Sequence, residues 1–171
     1  MFKELLPKHL RGILDIDEQR SDDGCVYGFV KCSCGCDRVR LKTAGFEYDE
    51  KLSYSEQTGV MVMAECSDCG KKILLFDQAK HGYDGFVCGD FISADKDQLT
   101  TVKCAECGAD IFTTETGIEV EDRDQFIEEC VNEFPEKFKE EDFTEAFNRF
   151  TLTAKCEKCG HTDDIINLEL A

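Results

Sequence analysis

The chain has 171 residues, enough for one domain or two small ones, of which 42% are hydrophobic and 33% charged. No apolar run approaches the ~20 residues that span a bilayer, so the composition excludes a membrane-spanning helix and is typical of a globular protein. The formal net charge of −17 repels phosphates and therefore disfavours general nucleic-acid binding.

The start of the chain and its cysteine content bear on the cellular compartment. The first residues, MFKELLPKHLRG, lack the apolar stretch of a secretory signal. Twelve cysteines are present, and in a reducing cytosol regularly spaced thiols bind metal more often than they form disulfides. We therefore expect a cytoplasmic protein whose cysteines hold metal.

An internal duplication organises the sequence. Residues 30–35 (VKCSCG) are echoed by residues 102–108 (VKCAECG), and residues 64–70 (AECSDCG) are echoed by residues 154–160 (AKCEKCG). The order of the two motifs is the same in both halves of the chain. The pattern therefore predicts a tandem repeat.

The repeat divides the chain into two units of different charge. Residues 1–95 form the first unit, which includes an N-terminal extension, and they carry 12 basic and 17 acidic side chains. Residues 96–171 form the second unit and carry 8 basic and 20 acidic side chains. A weaker echo relates residues 44–48 (AGFEY) to residues 116–120 (TGIEV). The charge asymmetry predicts two units with different surfaces.

Strands are expected on both sides of the later cysteine pair in each unit. Short stretches rich in β-branched and aromatic residues occupy these positions. In the first unit they cover residues 61–64 and 73–76, and in the second unit residues 152–154 and 165–170. Each unit therefore contains a strand, a metal-binding turn and a second strand.

The segment between the cysteine pairs is longer in the second unit, and its pattern predicts a helical insert over about 122–150. Asp122 followed by Gln125 resembles a capping box, and Asp142 followed by Glu145 resembles a second one. Apolar residues recur at helical spacing after each cap. The acidic residues between them are expected to face solvent.

Paired cysteines followed by glycine supply the candidate metal ligands. Two residues between the cysteines let the backbone turn so that both sulfurs face one point, about 2.3 Å from a zinc ion. The glycine permits the positive φ that such a turn needs. In the second unit the predicted ligands are Cys104, Cys107, Cys156 and Cys159.

The first unit offers three candidates for two of its four ligand positions. Cys66 and Cys69 form an ordinary pair, but their partner is the cluster Cys32, Cys34 and Cys36. Aligning the glycines of the two repeats selects Cys32 and Cys34 and leaves Cys36 as a spare thiol. A pair in which Cys36 replaces Cys32 or Cys34 stays open as an alternative.

This repeated pattern of strand, cysteine turn and strand resembles the zinc-ribbon proteins, over residues 29–77 and 101–170. The resemblance implies an α+β chain of mostly small antiparallel β structure, with two tandem zinc ribbons and a helical insert in the second. It also implies two structural zinc ions per chain, and loss of at least the ribbon structure on chelation. Rubredoxins share the cysteine pairs, which makes iron an alternative, but zinc is the favoured metal.

The remaining candidates have ordinary structural interpretations. Asp77, His81 and Asp84 could supply a base and an orienting carboxylate, but a His-Gly-x-Asp-Gly sequence after a strand is typical of a tight turn, with Gly82 and Gly85 at positive φ. The turn interpretation is favoured. The cysteines outside the motifs lie in apolar stretches and are predicted to be core residues: Cys25, Cys88 and Cys130.

Charge then decides between classes of function. Lys31, Arg38, Arg40 and Lys42 could form a local basic patch on the first ribbon, which leaves a nucleic-acid-associated ribbon protein as an alternative. The leading prediction is a non-enzymatic protein-interaction module whose acidic insert docks a basic partner. Its sharpest version is an acidic inhibitor or immunity-type protein that covers a basic nucleic-acid-processing enzyme. An enzyme that uses Asp77, His81 and Asp84 is the least favoured alternative.

Overall fold

A computed structural model describes residues 1–170 of the chain. Its strands form one sheet in which every strand pairing is antiparallel. The predicted class, mostly antiparallel β with few helices, is confirmed. The strands are β1 (Leu14–Ile16), β2 (Cys25–Val30), β3 (Arg38–Ala44), β4 (Met61–Cys66), β5 (Lys72–Asp77), β6 (Thr100–Thr101), β7 (Phe112–Glu119), β8 (Arg149–Cys156) and β9 (Thr162–Glu169).

Helical structure is confined to short segments. An α-helix, α1 (Arg123–Phe126), continues directly into a π-helical turn at Ile127–Val131, and a second π-helical turn covers Tyr83–Cys88. Within residues 1–170, none of the helices has the length and apolar character that crossing a membrane requires. The 3-10 helices cover Phe2–Leu5, Lys8–Leu10, Tyr54–Glu56, Lys96–Gln98 and Glu140–Ala146.

The duplication seen in the sequence is also present in the sheet. Strands β3, β4 and β5 form one antiparallel meander, and β7, β8 and β9 form another. Val39 pairs with Cys66 in the first meander, and Phe112 pairs with Cys156 at the equivalent place in the second. A bulge at Leu75 of β5 faces the bond between Val62 and Met63, and a bulge at Ile165 of β9 faces the equivalent bond between Leu152 and Thr153. The expected strands around the later cysteine pairs are therefore confirmed.

The two meanders meet through a local twofold relation. Val39 of β3 pairs with Phe112 of β7, and these two residues occupy the same position in the repeat. On one side of this pair β2 adds to β7, with Phe29 opposite Glu115. On the other side β6 adds to β3, with Lys42 opposite Thr101. Each unit thus lends the strand that precedes its first cysteine pair to the sheet of the other, and hydrogen bonds cross the predicted division at residue 95.

The main core lies between the two meanders. Phe76 of β5 stacks on Phe150 of β8, with ring centroids 4.5 Å apart, and both side chains are fully buried. Leu6 and Leu10 from the N-terminal segment are buried in the same cluster. Because residues from both units fill one core, burial of apolar surface stabilises the two units together.

The insert of the second unit is helical, as predicted, but in shorter pieces. Asp122 caps α1, because its carboxylate accepts hydrogen bonds from the amides of Asp124 and Gln125. Asp142 is not the N-cap residue that the sequence predicted; it is the third residue of the 3-10 helix that begins at Glu140, and its carboxylate accepts a hydrogen bond from the amide of the N-cap residue Lys139. Strand β8 starts at Arg149, so the insert ends before residue 150.

The weak echo between residues 44–48 and 116–120 does not correspond to equivalent structure. Ile118 lies in β7 and is fully buried, whereas Phe46 lies beyond the end of β3 and is 41% exposed. The cysteine motifs and strand pairings align Thr43, rather than Ala44, with Thr116, because one residue is missing between the first two cysteines. The two segments are therefore similar in sequence but do not occupy equivalent positions in the repeat.

Candidate metal centres

The four predicted cysteines of the second unit come together where strands end in tight turns. Cys156 closes β8, Cys159 lies in the turn before β9, and Cys104 and Cys107 lie in the turn between β6 and β7. The Sγ atoms of Cys104 and Cys159 are 3.5 Å apart, and those of Cys107 and Cys156 are 3.6 Å apart. A tetrahedron with sulfur at about 2.3 Å from its centre has edges of about 3.8 Å, so the group fits a tetrahedral metal ion.

The first unit brings together an equivalent group. The Sγ atoms of Cys32 and Cys69 are 3.5 Å apart, and those of Cys34 and Cys66 are 3.6 Å apart. All four sulfurs lie within 4.8 Å of one another, as in the second unit. Among residues 1–170, these two groups of four are the ones whose ligand atoms converge in this way.

Cys36 stays outside the first group. Its sulfur accepts a hydrogen bond from the amide of Arg38 at 3.4 Å and lies 3.6 Å from the hydroxyl oxygen of Ser67. The amide of Cys32 donates to the carbonyl of Cys36, as the amide of Cys104 donates to that of Ala109. Cys36 therefore occupies the position that an alanine holds in the second unit, and the geometry favours the pair Cys32 and Cys34.

Glycines shape all four turns, as the sequence predicted. Gly35, Gly70, Gly108 and Gly160 have φ values of 91°, 74°, 74° and 76°, a region that residues with a Cβ rarely adopt. Each glycine amide donates to the carbonyl of the first cysteine in its pair, at 2.9–3.0 Å. The first turn of the chain closes in the same way although it is one residue shorter.

Backbone amides prepare the sulfurs to carry negative charge. The amide of Cys69, followed by weaker contributions, lowers the pKa of the Cys66 thiol to about 6. The amide of Cys159 has the largest effect on Cys156 and lowers its pKa to about 7. At Cys34 the amide of Cys36 acts in the same direction, but the neighbouring thiols outweigh it and raise the pKa to about 12. Thiols packed this closely share protons, which a divalent cation would replace.

Asp77, His81 and Asp84, the candidates for catalysis, make hydrogen bonds within their own turn. The buried carboxylate of Asp77 accepts from the hydroxyl of Ser93 at 2.7 Å and from the amide of Ala79 at 3.0 Å. The Nδ1 atom of His81 accepts from the amide of Asp77 at 3.0 Å. Asp84 is buried and accepts from the side-chain amide of Gln78 at 2.9 Å. The three groups thus hold the turn together.

The glycines of this turn differ in their roles. Gly82 has a φ of 70°, as predicted, but Gly85 does not have a positive φ. Gly85 is needed for space instead, since a Cβ there would lie 2.5 Å from the amide nitrogen of Lys80. Glycine is needed at position 85 because there is no room for a side chain, and not because the backbone has a positive φ.

His81 also contacts a second imidazole from the N-terminal segment. Its ring stacks on that of His9 with centroids 3.7 Å apart, and the His9 Nε2 atom lies 3.0 Å from the carbonyl oxygen of Leu75. Burial, together with the nearby His9 ring, lowers the pKa of His81 to about 3. Burial also lowers the pKa of His9. The pair is therefore neutral at physiological pH and joins the N-terminal segment to the sheet.

Three of the four cations of the predicted basic patch have acidic neighbours, whereas Lys42 has none within 4 Å among the described residues. Arg38 lies 3.3 Å from Asp68, and Arg40 lies 3.5 Å from Asp110. Lys31 approaches Asp15 at 3.8 Å. These exposed pairs contribute little to stability, but they reduce the positive charge available to a phosphate backbone.

The cysteines outside the motifs are not uniformly core residues. Cys130 is buried in a small cluster with Phe126 and Phe138, as predicted. Cys25 is half-buried. Cys88 is exposed, so its assignment to the core is wrong. It ends the π-helical turn that carries it, where its side chain is left on the surface.

One surface feature went unnoticed in the sequence. Phe46, Tyr48 and Tyr54 lie in the connection between β3 and β4, and their rings form a cluster with Phe91. The signal in the sequence was the presence of three aromatic residues in a loop that is otherwise rich in Gly, Ser and Glu. Phe91, far along the chain, could not be joined to them by local pattern.

The fold and the cysteine groups together define a mainly antiparallel β protein with two sites that could hold metal ions. No protein-family model, curated protein or solved structure matches the chain. The four-thiol chemistry of the sites is the chemistry that zinc and iron accept.

Proposed function

We propose that the chain is a non-enzymatic, cytoplasmic protein-interaction module, in which two zinc ions hold a pair of tandem zinc ribbons and an acidic surface docks a basic partner. The zinc ions are structural, because each site offers four protein ligands and so leaves no open position for a substrate. Zinc is favoured over iron by the zinc-ribbon resemblance of the cysteine turns.

The distribution of unpaired carboxylates carries the proposal. The helical insert exposes several acidic side chains that have no cation within 4 Å among the described residues, although Glu140 and Asp142 do have one. An acidic surface of this kind attracts a basic partner over distance and raises the rate of association. The exposed carboxylates of the insert with no cation within 4 Å in the described part of the chain are Asp122, Asp124, Glu128, Glu129, Glu133, Glu136 and Glu141.

The sharpest version of the proposal is an acidic inhibitor of the immunity type. Such a protein covers the basic face of an enzyme that processes nucleic acid, and so competes with the substrate phosphates. The ion pairs of Lys31, Arg38 and Arg40 support this direction, because they neutralise three of the four cations of the basic patch on the first ribbon.

Two measurements test the proposal. Elemental analysis of protein from medium that contains both iron and zinc should give two zinc ions per chain. Immobilised protein should retain one basic partner from a native lysate, and the retention should fall steeply with salt. Glutamine at Glu128, Glu133, Glu136 and Glu141 should weaken the retention, and glutamine or asparagine at Glu18, Asp22, Asp23 and Glu65 is the matched control.

Other outcomes would redirect the assignment. Iron at the sites would point to electron transfer rather than docking. Salt-sensitive retention of the protein on heparin, with no basic partner captured, would favour the nucleic-acid alternative. A turnover that is lost in His81→Ala would be needed to support an enzyme.

A further inference from the structure

Four aromatic rings on the surface form a closed ring of contacts, here called the aromatic cage. Going round it, the centroid distances are 6.3 Å from Phe46 to Tyr48, 6.5 Å from Tyr48 to Tyr54, 6.3 Å from Tyr54 to Phe91 and 5.7 Å from Phe91 to Phe46. The two diagonal pairs are not in ring contact within residues 1–170. If the four centroids form a square, its centre lies about 4.4 Å from each of them, within the roughly 6 Å over which a ring attracts a cation. Neighbouring rings are inclined to one another by 43°, 53°, 85° and 85°.

The aromatic cage is exposed instead of being used as core. Tyr54 is 65% exposed, Tyr48 57% and Phe46 41%. Together they form a contiguous apolar surface, and such a surface marks a binding site more often than scattered single residues do.

The fourth ring belongs to a residue whose backbone is strained and is fixed by a neighbouring hydrogen bond. Phe91 has a φ of 64°, and it is the one non-glycine residue with positive φ among residues 1–170. A bulky residue in this region is strained, and such strain collects at binding sites. The amide of Ile92 donates to the carbonyl of Gln57 at 2.7 Å, which fixes the strained residue against the loop that carries the tyrosines.

A buried glutamine orders that loop. The side-chain amide of Gln57 donates to the carbonyls of Asp49 and Leu52, and its Oε1 atom accepts from the amide of Asp49. Ser53 and Glu56 form a capping box in the same loop. The rings are thus held ready before any ligand arrives, which reduces the entropy lost on binding.

Carboxylates outnumber cations in the segments that carry the aromatic cage. Glu47, Asp49 and Glu50 line the groove beside Tyr48 together with one cation, Lys51, and Asp90 directly precedes Phe91. None of the four carboxylates has a cationic partner within 4 Å in the part of the chain that the structure describes. A neutral apolar ligand gains nothing from these carboxylates, whereas a cation gains from both the ring faces and the surrounding charge.

We propose that the aromatic cage binds a methylated lysine side chain of the basic partner. Aromatic rings arranged around a centre recognise quaternary and other alkylated ammonium groups through cation–π attraction. A groove of about 780 Å³ beside the cage, lined in part by Ala44, Glu47, Tyr48 and Leu52, gives room for the neighbouring residues of the partner segment. This inference rests on the proposed function, because it names the group on the partner that the module recognises.

The test is a calorimetric titration of the zinc-loaded full chain with a lysine-rich peptide that carries one trimethyllysine. The same peptide without the methyl groups should bind about five- to thirtyfold more weakly, the range expected for one cation–π site. A peptide with a neutral tert-butyl group in place of the trimethylammonium should also bind more weakly. Equal binding of all three peptides overturns the proposal.

Variants of the cage locate the binding. Tyr54→Leu should weaken binding of the methylated peptide by about five- to thirtyfold, whereas Tyr54→Phe, which keeps the ring face, should bind like the original chain. Phe91→Gly removes a ring while it relieves the positive φ, so loss of binding there cannot be due to added strain. Phe29→Leu, at an exposed aromatic residue outside both the cage and the acidic insert, is the matched control. Unchanged circular dichroism and zinc content show that each variant is folded.

Two outcomes separate this proposal from the proposed function. If cage variants retain the basic partner and the methylated peptide as well as the original chain does, the acidic module stands and the cage proposal fails. If free tetramethylammonium binds as tightly as the methylated peptide, the ligand is a small quaternary amine, and docking of a partner through methyllysine is overturned.

Discussion

The two units share their sheet but not the loops that join its strands. In both meanders the same strand pairs carry the cysteines, with the same register and the same bulge. The β3–β4 connection of the first unit carries the aromatic cage, whereas the β7–β8 connection of the second carries the helical insert with its own small cluster around Phe126. Cysteine turns and shared strands restrict the fold, so divergence is concentrated in the connections, where partner contacts are proposed.

The largest effect is expected when metal is removed from one unit alone, which tests whether the two units unfold together. Structural zinc contributes about 10–16 kcal/mol of apparent binding energy in small peptides, so Cys104→Ser should unfold the second unit. Because the units exchange strands β2 and β6, the first unit should lose its structure in the same transition. Circular dichroism during thermal unfolding measures this, with zinc content measured in parallel.

The exposed Cys88 provides the matched control for that prediction. Cys88→Ser should keep two zinc ions per chain and the original unfolding temperature. Two separate transitions in Cys104→Ser, with the first unit unchanged, would show that the units fold independently despite their common sheet.

A second variant tests whether the two units depend on one core. Phe76→Ala removes a fully buried ring of the first unit that stacks on Phe150 of the second, and it should lower the free energy of unfolding by about 3–5 kcal/mol. Chemical denaturation of the zinc-loaded protein measures the loss. Phe134→Ala, at an exposed site, should change stability by less than about 0.5 kcal/mol. A small effect at Phe76 would contradict the shared core.

Acidification should weaken the attachment of the N-terminal segment, which belongs to the first unit only. The pKa of His81 is about 3 in the folded chain and about 6.5 when unfolded, so the unfolded state binds more protons below pH 6.5. Stability is therefore complete above pH 6.5 and falls as the pH drops towards 3, by at most about 1.4 kcal/mol per pH unit for this imidazole. Protonation also breaks the hydrogen bond that the amide of Asp77 donates to His81.

Measurements between pH 7 and pH 5 isolate this effect. The slope of the unfolding free energy against pH should be smaller in His81→Gln than in the original chain. His161→Gln, at the cysteine turn of the second unit, is the control. An identical slope in all three proteins would exclude the buried histidine as the source.

The smallest expected effect is confined to the insert of the second unit. Asp122→Ala removes the two hydrogen bonds that cap α1 and should cost about 1 kcal/mol. Hydrogen exchange should increase in residues 123–131 and remain unchanged in the strands. Asp124→Ala should have less effect, because Asp124 contributes only its backbone amide to the cap and alanine keeps that amide. Faster exchange throughout the sheet would mean that the insert supports the fold more widely than proposed.

Local chemistry explains which features the sequence predicted. Cysteine spacing, turn glycines and alternating strands are short-range patterns, and they placed the two four-cysteine groups and the strands around them. Aligning the turn glycines favoured Cys34 over Cys36, and the hydrogen bond from the amide of Cys32 to the carbonyl of Cys36, equivalent to that from Cys104 to Ala109, supports this choice. Strand exchange and the contact of Phe91 with the tyrosines join distant parts of the chain, and no local pattern encodes such pairings.

The exchanged strands also govern how the chain folds during synthesis. Strand β2 leaves the ribosome early, but its partner β7 is made only after the whole first meander and the linker that follows it. Until then β2 has an unpaired edge, and such edges favour aggregation of nascent chains. We expect the high density of acidic residues to keep these incomplete chains apart, since like charges repel one another before the sheet closes.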